Sequence, residues 1–109
     1  MLAILWVLCI GLVIQPGQVK RVIDGDTFIL YNVGVTDEER VRVLRVDAAE
    51  LGDSLGLKAK AFTVEWLAKG PFTIAGCKRD SFGRILADVT RGTDTLAVQL
   101  EKAGLGVRR

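Results

Sequence analysis

The stretch that most constrains the fold is Arg40–Glu50, Arg-Val-Arg-Val-Leu-Arg-Val-Asp-Ala-Ala-Glu. Val41, Val43, Leu44 and Val46 are β-branched or aliphatic and suit a half-buried strand. Two carboxylates, Asp47 and Glu50, follow where the chain leaves the sheet. Arginines inside such a strand, with acids close behind, are costly to bury without partners. Alone, the stretch reads first as an edge strand with solvated charges ending in an acidic loop, since short motifs match by chance; the sharper reading is a phosphate-binding arginine beside a metal-binding carboxylate and a base.

The rest of the chain follows the same logic. Val19–Ile23 alternates apolar and basic residues, and Asp24-Gly25-Asp26 is a tight-turn signal. Thr27–Val33 is the returning strand. Asp37, Glu38 and Glu39 read as a solvated loop tip, and Arg40–Val46 as the third strand. Leu55–Lys69 carries Leu55, Ala59, Phe62 and Trp66 at helical spacing, and Gly70-Pro71 stops that helix. Phe72–Cys77 and Arg84–Thr90 are two further strands, and Thr95–Ala103 a second helix ended by Gly104. Five strands with a helix between the third and fourth is the order of an OB-type barrel, an α+β fold that is mainly β. A fold alone assigns no function.

Composition narrows the chemistry. The 109 residues, half of them hydrophobic, make one globular domain with a modest core. The absence of histidine removes His-based catalysis and His-ligated zinc. Two cysteines, Cys9 and Cys77, are too few for a four-cysteine metal site and read as small hydrophobes. A net charge of +2 leaves the question of a nucleic-acid partner to local patches. Met1–Ile14 is unbroken in apolar or small residues, shorter than a comfortable membrane span and close in length to an export signal. Residues 1–16 are therefore expected to be a hydrophobic leader or short membrane anchor, and residues 17–109 the domain. The expected location is secreted or membrane-anchored, with a cytoplasmic one left open.

Three separated pieces then line up: Val22-Ile23-Asp24-Gly25-Asp26-Thr27, Arg42-Val43-Leu44-Arg45-Val46-Asp47-Ala48-Ala49-Glu50, and Asp80-Ser81-Phe82-Gly83-Arg84. In order and spacing they resemble the thermonuclease family, the staphylococcal-nuclease-like domain. The resemblance implies a calcium-dependent phosphodiesterase, an endonuclease acting on DNA or RNA. It implies Ca²⁺ ligands at Asp26, Asp47 and the carbonyl of Ala48, a general base at Glu50, and phosphate-binding arginines at Arg42 and Arg84. Those residue types suit the chemistry. Ca²⁺ takes oxygen ligands in irregular geometry, a carboxylate can accept a proton from the attacking water, and arginine matches phosphate with paired donors. Two positions depart from the family. Ala49 stands where proline is usual, and Ser81-Phe82 stands where a basic residue and tyrosine are usual. The implied partner is nucleic acid, with membrane association through the leader, and the chain is expected to be a monomer. The alternative is a non-catalytic nucleic-acid-binding barrel, which should lack some of the five charged positions filled here.

Overall fold

The computed structural model describes residues 10–50, 52 and 54–109. The order is β1 (Ile10–Ile14), a 3₁₀ turn (Pro16–Gln18), β2 (Val19–Asp24), β3 (Thr27–Val33), β4 (Thr36–Val43), β5 (Val46–Ala48), α1 (Ser54–Ala68), β6 (Phe72–Arg79), β7 (Ile85–Arg91), β8 (Asp94–Thr95), α2 (Leu96–Lys102) and β9 (Gly106–Arg108). The fold is mainly β with two helices. Its strongly curled half-barrel sheet is consistent with an OB-like architecture.

The main sheet has seven strands in the order β1-β6-β7-β4-β3-β2, with β8 added to β7; β5 and β9 form a separate pair. Five strands were expected. The difference has three sources. First, Ile10–Ile14, expected to precede the domain, forms an antiparallel strand on β6 with Leu12 opposite Ile74. Ile14 is buried and Val13 exposed, the alternation of a sheet edge. An apolar run too short to span a membrane is also what a buried strand looks like, so its pattern could not separate the two. Residues 1–9, on which the rest of the leader expectation falls, lie outside the described residues.

Second, the expected strand Arg40–Val46 is two strands. Arg45 takes a φ of 75° in the turn between β4 and β5, a left-handed conformation uncommon outside glycine. Third, β8 and β9 are short additions. The acidic run is a further correction: Asp37, Glu38 and Glu39 lie inside β4, not in a loop. Lys20 Nζ donates to Glu38 Oε2 at 2.7 Å, and Arg79 pairs with Glu39 through two hydrogen bonds of 2.8 and 2.9 Å. The Arg79 guanidinium holds the Glu39 carboxyl below the usual carboxylate range. Cys77, expected to act as a small hydrophobe, is disulfide-bonded.

The core sits between the concave face of the sheet and the two helices. Phe28, Phe72 and Trp66 form its aromatic centre, with Phe28 edge-on to Phe72 at 6.1 Å between ring centres. Helix α1 buries Ala59, Thr63, Trp66 and Leu67, while Leu55, expected on that face, is exposed. Arg91 closes the helix end. Its guanidinium lies 4.1 Å from the Trp66 ring, and Nη2 donates to the carbonyls of Trp66 and Gly70 at 2.8 Å. These contacts satisfy carbonyls that the last turn leaves without helical partners.

Candidate functional site

Strand pairing brings the three sequence pieces to one place. In β4 the alternation turns Val41 and Val43 into the core and Arg42 to the opposite face. Thr27, the first residue of β3, lies directly across from Arg42. The parallel pairing of β4 with β7 sets Leu86 on the other side of Arg42, so Arg84, just before β7, arrives beside them. The Asp24-Gly25-Asp26 turn is pinned at both ends. The Val43 amide donates to the Asp26 carbonyl at 2.8 Å, and Thr63 Oγ1 of α1 donates to the Gly25 carbonyl at 2.6 Å. A side chain at Gly25 has no room: its Cβ would lie 2.7 Å from the Ala48 Cβ and 2.9 Å from the Ala59 Cβ.

Asp26 is buried, with three neighbours on its carboxylate. Thr27 Oγ1 donates to Oδ1 at 3.1 Å, the Ala48 amide donates to Oδ2 at 2.9 Å, and Arg42 Nη1 stands 3.4 Å from Oδ2. Burial pushes its pKa up to about 6, aided by the adjacent Asp24 carboxylate, against the pull of the Ala48 amide and Arg42. Asp47 is half-exposed on β5. Its Oδ1 accepts from Arg42 Nη2 and, at 2.8 Å, from Arg109 Nη1. One guanidinium therefore bridges both carboxylates.

Arg42 also binds the loop it precedes, with Nη1 donating to the carbonyls of Val43 at 2.6 Å and Val46 at 2.8 Å. Arg84 is held by Asp80 through a 2.6 Å bond from Nε, and its Nη1 reaches Thr27 Oγ1 at 3.5 Å. Burial raises the Asp80 carboxyl. Hydrogen bonds from Arg84 and the Phe82 amide outweigh that and keep it below the usual range. Phe82 is exposed, with its ring 5.4 Å from the Arg84 guanidinium. Glu50 is exposed, two residues past the end of β5, and makes no ion pair with another described residue.

Arg42 thus joins Asp26 and Asp47, the Ala48 amide meets Asp26, and Arg84 reaches the group through Thr27, whereas no hydrogen bond or ion pair among the described residues ties Glu50 to them. Two residues of this place were not singled out from the sequence. Thr27 links Asp26 to Arg84, and Arg109 reaches Asp47 because β9 pairs with β5, Asp47 opposite Val107. Neither carries a sequence signal beyond a hydroxyl after the Asp-Gly-Asp turn and a basic chain end. A cleft of about 520 Å³ opens beside Arg42 and Arg84, lined also by Arg45, Arg109 and Asp80 but by neither Asp26 nor Asp47.

The donor set suits a hard cation in kind, since it is all oxygen and includes a buried carboxylate. It is small in number. Among the described residues no cluster of three or more acidic, cysteine or histidine side chains forms, so water and a substrate phosphate would complete the shell. The Ala48 amide, hydrogen-bonded to Asp26, ties the two ligand loops together.

No family model matches the chain. It is 37% identical over 95 residues to a thermonuclease of Staphylococcus intermedius, an alignment covering 80% of this chain and 55% of that protein. The chain spans about half the length of the curated relative it matches.

Proposed function

We propose that this thermonuclease-like domain hydrolyses phosphodiester bonds in DNA or RNA, cutting within the strand. The reading rests chiefly on one observation: Arg42, which lines an arginine-rich cleft together with Arg84, pairs with both Asp26 and Asp47, and Arg84 meets the same group through Thr27. The thermonuclease relative supports it.

In this reading Arg42 and Arg84 grip the scissile phosphate. Their planar donors match its oxygens and stabilise the charge that grows there as water attacks. Arg42 keeps two carbonyls and a carboxylate as fixed partners, so its plane is set before substrate arrives. Thr27 and Asp80 orient Arg84 in the same way. Glu50, which makes no ion pair with another described residue, accepts the proton of the attacking water. Asp26, Asp47 and the Ala48 carbonyl are the groups that would hold Ca²⁺. When bound, the cation supplies positive charge at the same phosphate.

The test is cleavage of single-stranded DNA and RNA with Ca²⁺ and with chelator. Cleavage with Ca²⁺, its loss in chelator, and its loss in Asp26→Ala are expected. Undiminished cleavage in excess chelator sinks the calcium reading. A second reading, a non-catalytic nucleic-acid-binding barrel, is favoured by the exposed position of Glu50. It wins if the chain binds oligonucleotides but cuts none with any divalent cation.

Export or membrane anchoring through the part of the apolar run Met1–Ile14 that precedes β1, as a monomer, belongs to the same proposal. It is supported by the composition of that run and by the disulfide at Cys77, which suits an oxidising compartment. Among the described residues no helix is long and apolar enough to cross a membrane. Cell fractionation and sedimentation of the purified chain test the location and the monomer.

A further inference from the structure

We infer that Arg45 and Arg109 form a second phosphate-binding subsite, which holds the phosphate next to the scissile one and makes a polynucleotide the preferred substrate. The inference rests on the phosphodiesterase reading and extends it to two residues outside the three sequence pieces' charged set.

Four arginines line the cleft, in two pairs of different character. Arg42 and Arg84 are withdrawn, with side chains 15% and 26% exposed. Arg45 and Arg109 are open, at 68% and 67%. They come from different elements but are joined, because the Arg109 amide donates to the Arg45 carbonyl at 3.1 Å. Arg109 spends one donor on Asp47, and Arg45 turns Nε and Nη2 to Asp88 at 2.9 and 3.4 Å. A guanidinium has five N–H donors, so each keeps several. Exposed ion pairs of this kind are weak and yield readily to a phosphate.

The cleft is also larger than one phosphate needs. About 520 Å³ falls in the range of sites that enclose whole small molecules. It continues past Arg45 and Arg109 into a groove of about 340 Å³ along α2, where Arg108 is also found. An anionic chain fixed by Arg42 and Arg84 would therefore leave the catalytic end beside the open pair. The backbone of Arg45 fits a binding role as well, since left-handed residues outside glycine cluster at functional positions.

The experiment compares two substrates. A dinucleoside monophosphate carries only the scissile phosphate; oligodeoxythymidylate of about eight nucleotides carries neighbours. In the double variant Arg45→Gln/Arg109→Gln, kcat/KM for the oligonucleotide should fall roughly 10- to 100-fold, mostly through KM. Its logarithmic salt slope should shrink by about one to two, as for lost phosphate contacts. The single variant Arg45→Gln, which touches neither acid of the site, should lose several-fold on the oligonucleotide while cutting the dinucleoside monophosphate within about threefold of the parent rate. Equal losses on both substrates in Arg45→Gln overturn the subsite. Unchanged kinetics on both overturn it too. If the parent cuts neither substrate with any divalent cation, the nuclease reading fails instead. Oligonucleotide affinity in chelator then decides the subsite alone, which falls if parent and variant bind equally.

Discussion

The amide of Ala48 donates a 2.9 Å hydrogen bond to the carboxylate of Asp26, 22 residues earlier in the chain. The Asp24–Asp26 turn and β5, which carry two acids of the site, are thereby fixed to each other through the Asp26 side chain. This contact also competes with burial, which favours the protonated acid.

A pH dependence of stability follows from Asp26. Its folded pKa, about 6, lies above the ordinary value of 3.8. The folded state therefore binds its proton more tightly than the unfolded state. Stability is greatest below the unfolded value, falls as pH rises through the window from about 4 to 6, and stays low above it. The cost at neutral pH is at most about 3 kcal/mol, from 1.36 kcal/mol per unit. Glu39 and Asp80, shifted downward, lose their contributions only as pH falls through lower values. Asp26→Asn should flatten the fall between pH 4 and 6. In chelator at pH 8 it should raise Tm by several degrees while abolishing cleavage. Thermal melts across pH in chelator are the check, and an Asn variant that melts like the parent at both ends of the window refutes the assignment.

Gly25 separates fold from geometry. An alanine there places a methyl under 3 Å from both Ala48 and Ala59, so the turn must move away from β5 or α1. Overpacking of this kind costs about 1–3 kcal/mol. The same shift draws Asp26 from the Ala48 amide, so Gly25→Ala should lose most of its cleavage even at temperatures where it is fully folded. Urea titration beside a cleavage assay reads both.

Glu50→Gln preserves size and hydrogen-bonding capacity but cannot accept a proton at neutral pH. Turnover should fall about 100- to 10,000-fold, with much smaller change in oligonucleotide affinity. Single-turnover cleavage at one fixed salt concentration measures it, and cleavage at the parental rate removes Glu50 from the role of base.

Arg91 provides the opposite case. Its loss removes the ring contact with Trp66 and the hydrogen bonds to the end of α1. Arg91→Ala should destabilise the fold by about 2–3 kcal/mol. Arg91→Lys should restore little of that, since an ammonium cannot reach several carbonyls in one plane. Cleavage by the folded fraction should be unchanged in both.

The sequence was most legible where local chemistry decides. The Asp24-Gly25-Asp26 turn, the helix stopped by Gly70-Pro71 and the core role of Trp66 are set by neighbours in the chain, and each was readable there. The thermonuclease resemblance also stood on short local pieces, and the relative agrees with it. What escaped depends on distant partners. Asp37–Glu39 read as a loop because Lys20 and Arg79, which pair with two of its acids, lie far away in sequence. The break between β4 and β5 hangs on the backbone of Arg45, a residue type that does not announce a left-handed turn. Arg109 enters the site only through the pairing of β9 with β5.

The pairing of β1 with β6 sets a limit on how the chain can be matured. Ile14 fills the core and Leu12 packs against it, and β1 covers the backbone edge of β6 from Phe72 to Gly76. A protease cutting at the Gln15-Pro16 boundary would strip that strand, leave an apolar hole and bare an unpaired edge open to other chains. Any trimming compatible with a soluble, folded product must therefore stop upstream of Ile10.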